Sequence, residues 1–178
     1  TYYDRPWSGY RKVRKGVKKR IRRRMEEVGC PNVEAYLELI TASPAEKRIC
    51  ERLLLVTISR FFRDRQLWRY LGESLLPHLI EAFNAPVRLW SAGCACGEEA
   101  YSLAILWAQL PVAPRLELLA TDMQPECLNR AKAGIYPRSS LKALSGDLRE
   151  RHFRVRKGGR QFCIQPKSLP PIQWQVHN

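Results

Sequence analysis

A chain of 178 residues can form one domain or two small ones, and its hydrophobic content of 45% is ordinary for a globular protein. No run approaches the ~20 apolar residues of a membrane span, no signal peptide opens the chain, and the six cysteines contain no CxxC pair. These features argue against a membrane span and a metal site, and favour reduced thiols in the cytoplasm. The formal net charge of +14 predicts an anionic partner, either a nucleic acid or an acidic protein surface.

The first predicted element is a strongly basic helix from Tyr10 to Val28. Its apolar residues recur every three or four positions and give one narrow stripe: Val13, Val17, Ile21, Met25 and Val28. Residues 1 to 30 hold 11 lysines or arginines against three acids, a local charge of +8. Such a run is often only a solvated face, but its single sign favours a binding face.

Two more helices and an aromatic segment follow. Asn32 is predicted to cap the second helix, and Ser43 and Glu46 have the spacing of a capping box that starts the third. Residues 57–64, TISRFFRD, are predicted to form a loop whose two phenylalanines are anchored in the core. Asp64 can then cap a helical stretch that continues to Phe83.

The stretch from Val87 to Leu106 is predicted to form a strand, a loop of small residues and a helix. This is the first unit of a doubly wound α/β domain, in which the loop after the strand binds a nucleotide. Ala92 and Gly93 are small enough for a ligand to approach the backbone. Glu98 would repel a phosphate, and it therefore favours S-adenosylmethionine, which carries a sulfonium and an amino acid.

A second strand is predicted from Leu116 to Thr121, followed by Asp122. An acid at this point is well placed to accept both ribose hydroxyls of an adenosine. The alternative is that Asp122 merely caps the helix that begins at Pro125. Both roles need the same carboxylate, and the ribose role is favoured.

The last part of the chain is predicted to form strands. Residues 153–156 and 161–164 flank the turn KGGR, which is typical of a β-hairpin. In residues 172–176 apolar and polar side chains alternate, which predicts a final strand. The break at 84–86 is the best domain boundary, with a helical domain over residues 1–84 and an α/β domain over 85–178.

Four motifs in this order resemble those of the chemotaxis-receptor glutamate methyltransferase family, over roughly residues 10–178. They are TISRFFR at 57–63, WSAGCACGEEAYS at 90–102, ATD at 120–122 and AKAGIY at 131–136. The resemblance implies an N-terminal helical domain followed by a Rossmann-like methyltransferase domain with a small β-hairpin subdomain at about 153–164. It implies S-adenosylmethionine as cofactor and S-adenosylhomocysteine as product.

The resemblance also assigns roles to individual residues. Cofactor contacts fall on Thr57, Ser59, Arg63, Ala92, Gly93, Glu98, Asp122, Met123 and Asn178. Arg63 is the implied catalytic residue, nearest the reactive methyl, although a structural ion pair with Asp64 or another nearby acid is the alternative. The implied substrate-binding residues are Arg20, Arg23 and Arg24, which would meet the cytoplasmic helical domain of a chemotaxis-type receptor.

The sequence departs from the family pattern in two places. Cys96 stands where the family commonly has threonine, so cofactor binding is expected to be retained but weaker. The fourth strand, its Arg-Asn signature and an active-site tyrosine are expected after Asn178. The doubly wound domain is therefore expected to be incomplete, and the chain alone is not expected to be a competent enzyme unless a longer protein or a second chain completes its sheet.

Two other functions fit the residues. A nucleic-acid methyltransferase would use the same basic helix, although Pro170 and Pro171 do not form the motif that exocyclic-amine methyltransferases carry. A cofactor-binding sensor or docking module without catalysis is the third reading.

Overall fold

The computed structural model describes residues 14–54, 59–82, 86–156 and 158–177. Its contacts divide the chain into two compact units, Thr1–Thr57 and Ile58–Asn178. This division differs from the predicted boundary at residue 84, because Phe61 is buried among the second unit's core residues. Within the described ranges, no helix is long and apolar enough to span a membrane.

The first unit consists of three helices in its described part: α1 (Arg14–Glu27), α2 (Val33–Ala42) and α3 (Pro44–Leu54). The predicted stripe on the basic helix is confirmed from Val17 onward, while Tyr10 to Val13 lie outside the described residues. Val17 is buried, and Ile21, Met25 and Val28 pack against a small core of Tyr36, Ile40 and Cys50.

The caps of the first unit are confirmed with one correction. The Asn32 side chain accepts the N–H of Ala35 at 2.8 Å, and the Ser43 hydroxyl accepts the N–H of Glu46 at 3.2 Å. A capping box also requires the Glu46 side chain to accept the N–H of Ser43, and this part of the prediction was wrong. The Ser43 N–H donates to the Leu39 carbonyl instead. The Glu46 carboxylate accepts from the charged guanidinium of Arg24 and from the buried hydroxyl of Tyr36.

The second unit begins with the aromatic segment and a helical stretch. Phe61 is buried, as predicted, and Asp64 precedes α4 but makes no side-chain cap. The helices of the unit are α4 (Arg65–Tyr70), which a π-helical turn (Leu71–Leu75) joins to α5 (Leu76–Ala82), α6 (Glu98–Trp107), α7 (Pro125–Ala133) and α8 (Gly146–His152). Phe83 and Asn84 lie outside the described residues.

Two three-stranded sheets complete the second unit. The parallel sheet has the order β1 (Val87–Ala92), β2 (Leu116–Asp122), β6 (Ile172–Val176). The small sheet is antiparallel, with the order β3 (Ile135–Pro137), β5 (Gln161–Ile164), β4 (Phe153–Arg156). The predicted hairpin is therefore confirmed, and β3 adds a third strand to it.

The parallel sheet confirms the predicted Rossmann-like arrangement. Ala92 lies beside Thr121, and Asp122 lies beside Val176, so the carboxyl ends of the three strands meet at one edge. In the described part of the chain β1 pairs only with β2 and is an edge strand. Ligands of such sheets bind outside the carboxyl ends of the strands.

Candidate functional site

The loop between β1 and α6, residues 93–97, lies at the carboxyl edge of the parallel sheet. Gly93, Ala95 and Gly97 all have a positive φ, of 74°, 50° and 88°. The N–H groups of Gly93 and Cys94 donate to the Thr121 carbonyl at 2.8 and 2.9 Å, so the neighbouring strand fixes the start of the loop. A side-chain atom at Gly93 would meet nothing within 4 Å, which leaves open space beside the backbone.

Asp122 stands at the end of β2 and supports the same loop. One carboxylate oxygen accepts the N–H of Ala95 at 2.9 Å, and the other accepts the N–H of Gln124 at 2.9 Å. The carboxylate therefore holds both the loop and the start of α7. Each oxygen has a second acceptor position, so these bonds leave room for ribose hydroxyls, and the ribose role of Asp122 stays a prediction.

Glu98, the first residue of α6, is the buried acid of the site. The Ser140 hydroxyl donates to its Oε1 at a long 3.5 Å, while its Oε2 is buried and accepts no hydrogen bond from the described residues. Burial raises the pKa of Glu98, although its own backbone N–H, Ser59, Arg130 and Ser140 act in the opposite direction. The carboxylate is thus short of one cationic or donor partner.

The segment 59–63 lies against the first turn of α6. The Phe62 N–H donates to the Ser102 hydroxyl at 3.0 Å, and that hydroxyl donates to the Glu98 carbonyl at 2.6 Å. The Phe61 N–H donates to the Ser140 carbonyl at 3.1 Å. The Ser59 side chain lies within hydrogen-bonding reach of the Glu98 carboxylate, so the structure brings together two residues that the sequence had assigned to one site.

Arg63 is exposed and lies between two residues with unusual backbones. Phe62 and Asp64 have φ values of 48° and 61°, a region that residues other than glycine seldom adopt. Such strain persists only where the surroundings impose it, and it concentrates at functional sites. This geometry presents the Arg63 side chain at the surface of the second unit.

The remaining predicted residues divide into three groups. Ala92 and Met123 are exposed at the ends of β1 and β2 beside the loop. Thr57 and Asn178 lie outside the described residues. Arg20, Arg23 and Arg24 belong to the first unit.

The three recognition arginines have different surroundings. Arg24 forms an ion pair with the buried Glu46 at 2.7 Å, and Arg23 pairs with the exposed Glu27 at 3.0 Å. The Nε of Arg20 donates to the Leu53 carbonyl at 3.0 Å. Arg24 is thus part of the first unit's framework, whereas the Arg23 side chain is 78% exposed.

Three cysteines lie buried next to the loop. Cys94, Cys96 and Cys127 are free thiols, and burial raises the pKa of Cys94 and of Cys127 to about 12. They are therefore protonated at neutral pH and act as small core residues. No cluster of three or more metal-ligating side chains exists among the described residues.

Three supporting residues were not predicted to act at the site. Ser102 and Ser140 hold the segment 59–63 and Glu98, as described above. The Tyr136 hydroxyl donates to the Cys96 carbonyl at 2.8 Å and so supports the loop 93–97. The motif AKAGIY contains Tyr136, but only the fold shows what its hydroxyl reaches.

The described residues fit a ligand that carries an ammonium group and an adenosine. The unpartnered Oε2 of Glu98 is the kind of acceptor that an ammonium satisfies, and the open space at Gly93 admits a ligand to the backbone. Asp122 has acceptor capacity left at the adjacent strand end. S-adenosylmethionine combines these groups.

Comparison with known families gives a match to the CheR methyltransferase, SAM binding domain, over residues 57–178. The match begins at the aromatic segment and covers the whole second unit. It identifies S-adenosylmethionine as the methyl donor of this domain type.

Several curated proteins are similar over most of the chain. A chemotaxis protein methyltransferase of Listeria monocytogenes is 36% identical over 71% of this chain and 47% of its own length. One from Salmonella typhimurium is 33% identical over 85% of this chain and 52% of its own length. An uncharacterized 104.1 kDa protein of Rhodobacter capsulatus is 34% identical over 91% of this chain and 17% of its own length. The chain spans about half the length of the two methyltransferases.

Proposed function

This chain belongs to the CheR methyltransferase family, and we propose that its second unit provides the cofactor side of a site that methylates glutamate side chains of chemotaxis receptors. The observation that carries the proposal is the Glu98 carboxylate, which is buried at the first turn of α6 with Oε2 unpartnered among the described residues. Ser59 and Ser140 lie beside it, and Asp122 stands at the next strand end. We place this reaction in the cytoplasm.

Glu98 and Asp122 would hold the two ends of the cofactor. The Glu98 carboxylate would accept from the ammonium of the methionine part, and Asp122 would accept from the ribose hydroxyls. When bound, S-adenosylmethionine supplies a methyl group on a sulfonium and becomes S-adenosylhomocysteine.

The methyl transfer needs no general base. A receptor glutamate, with a pKa of ~4.3, is already ionised at neutral pH, so its oxygen can attack the methyl carbon directly. Catalysis then consists of alignment and exclusion of water. Arg63 would orient the substrate carboxylate, because a guanidinium can hold a carboxylate through two hydrogen bonds.

The basic helix α1 would meet the acidic surface of the substrate. Its exposed cations include Lys15, Lys18, Lys19 and Arg22, which lie with Arg23 and one acid, Glu26, on the exposed surface of the helix. A field of this sign steers an acidic partner and raises its association rate. The relatives named chemotaxis protein methyltransferase support a receptor as that partner.

Calorimetry with two ligands tests the Glu98 assignment. Glu98→Gln should weaken binding of S-adenosylhomocysteine at least tenfold, because the ammonium loses its charged partner. The same variant should bind 5′-methylthioadenosine, which lacks the amino-acid part, as the wild type does. Glu99→Gln is the matched control, because Glu99 is the exposed neighbour whose carboxylate accepts from Ser91.

Two results would count against this assignment. An unchanged affinity of Glu98→Gln for S-adenosylhomocysteine would remove Glu98 from the site. An equal loss for both ligands would show that the substitution disturbs the loop rather than the ammonium contact.

A further inference from the structure

One residue of the loop 93–97, Ala95, adopts a backbone conformation that its side chain does not favour. Ala95 has a φ of 50°, which costs a residue with a Cβ roughly 1 kcal/mol or more. Gly93 and Gly97 also have positive φ values, which glycine adopts without this cost. The loop therefore needs support from residues outside it to keep this shape before a ligand arrives.

That support comes from two sides. On the side of the parallel sheet, Thr121 and Asp122 accept N–H groups of the loop. On the other side, the Tyr136 hydroxyl donates to the Cys96 carbonyl at 2.8 Å. This is the one contact in which a side chain from the small sheet meets a backbone polar group of the loop, as far as the hydrogen bonds of the described residues show.

The packing around Tyr136 prevents its side chain from rotating away from the Cys96 carbonyl. The side chain is 1% exposed, and its ring packs edge-on against Phe61 at 4.9 Å and Tyr101 at 6.2 Å. Gly97 has no side chain, and a Cβ built at this position would lie only 3.2 Å from the Tyr136 hydroxyl. This close packing leaves little room for a water molecule to replace the hydroxyl. Burial raises the pKa of Tyr136, so the hydroxyl remains a donor at neutral pH.

We infer that Tyr136 is a positioning residue: its hydroxyl, carried by the small sheet, fixes the Cys96 carbonyl and so keeps the loop 93–97 in the shape that receives the cofactor. The inference rests on the proposed function, since it assumes that this loop binds S-adenosylmethionine. Loss of the hydroxyl leaves a buried carbonyl without a partner and lowers the fraction of molecules whose loop is ready to bind.

Tyr101 offers a matched control within the same core. Its hydroxyl donates to the Ala131 carbonyl at 3.1 Å, and the residue is also buried. Tyr136→Phe and Tyr101→Phe each remove one oxygen and keep the ring, so both variants should fold. Only the first removes a contact with the loop.

The experiment compares S-adenosylhomocysteine affinity by calorimetry in the wild type and the two variants, at a temperature where circular dichroism shows all three folded. Tyr136→Phe should bind about tenfold more weakly, and Tyr101→Phe should stay within about twofold of the wild type. Amide hydrogen exchange at Ala95 and Gly97, without ligand, should be faster in Tyr136→Phe than in Tyr101→Phe.

Three results would overturn the inference in distinguishable ways. Wild-type affinity and loop exchange in Tyr136→Phe would show that the hydroxyl does not position the loop. Equal losses of affinity in both variants would show a general effect on the core. Absence of binding by the wild type would overturn the proposed function, and this inference with it.

Discussion

The guanidinium group of Arg24 holds the Glu46 carboxylate with two hydrogen bonds, of 2.7 and 3.0 Å, across 22 residues of the chain. Arg24 and the Tyr36 hydroxyl, which donates at 2.9 Å, hold the pKa of Glu46 below its usual range. This arrangement joins all three described helices of the first unit.

The Arg24–Glu46 pair predicts a stability loss on truncation. Arg24→Ala should lower the free energy of unfolding by about 2 kcal/mol, because it leaves the buried Glu46 carboxylate without its cationic partner, although partial exposure of Arg24 reduces the cost. The neighbouring Arg23 side chain is 78% exposed. Arg23→Ala should therefore lower the free energy of unfolding by no more than the ~0.3–0.5 kcal/mol that ion pairs on exposed helix surfaces contribute. Urea unfolding of both variants provides the measurement, and equal losses would contradict the structural role of Arg24.

Acid should weaken the same pair. The pKa of Glu46 in the folded chain lies below the ordinary 4.5, so its contribution is present above pH 4.5 and is lost as the pH falls through the lowered value. In Glu46→Gln this part of the pH dependence should disappear. A variant that keeps the wild-type slope of unfolding free energy below pH 4.5 would show that other groups produce it.

The basic exposed surface of α1 predicts salt-dependent association. Charge reversal at Lys18, Lys19 and Arg22 should weaken binding to a receptor cytoplasmic fragment at least tenfold and flatten its salt dependence, while S-adenosylhomocysteine affinity stays unchanged. These three cations suit the test better than Arg24, whose replacement also disturbs folding. Binding of the wild type and of the charge-reversed variant to an RNA with the same net charge as the receptor fragment should also be measured. Stronger binding to the RNA than to the receptor fragment would favour a nucleic-acid methyltransferase.

Asp122 predicts two separable effects. Asp122→Ala should weaken S-adenosylhomocysteine binding by about 1–3 kcal/mol and also destabilise the chain, because the N–H groups of Ala95 and Gln124 lose their acceptor. An analogue without the ribose 2′-hydroxyl separates the roles. If Asp122 binds the ribose, the wild type should bind this analogue more weakly than S-adenosylhomocysteine, whereas Asp122→Ala should not distinguish the two. Equal discrimination by both proteins would leave Asp122 only as support for the loop.

His152 predicts a loss of stability at mildly acidic pH. The residue is buried, its Nε2 has no partner in the described part of the chain, and burial, together with Arg151, lowers its pKa below 6.5. Below pH 6.5 the unfolded chain therefore binds a proton that the folded chain resists, so the Tm should fall as the pH drops from 7 to 5. His152→Gln should reduce this fall, with exposed His177→Gln as control. Identical pH profiles in the wild type and His152→Gln would contradict the assignment.

The sequence was most informative where structure is local. The caps at Asn32 and Ser43 and the strands of the parallel sheet follow from neighbouring residues, and they were predicted. Glu46 was misread because its partner Arg24 comes from another helix. Tyr136 was placed in a motif, but its contact with Cys96 spans 40 residues and only the fold determines it. The predicted cofactor residues all stay predictions, and two of them, Thr57 and Asn178, also lie outside the described ranges.

The cofactor is expected to bind at the carboxyl edge of the parallel sheet. A titration of the isotope-labelled chain with S-adenosylhomocysteine, followed by backbone amide NMR, tests it most directly. We expect the largest shifts at residues 59–63, 93–98 and 122–123, and little change at residues 154–156, the exposed part of β4 in the small sheet. Shifts confined to other residues would show that the ligand binds elsewhere, and no shifts at millimolar ligand would show that the chain does not bind it; either result contradicts a cofactor site at this edge.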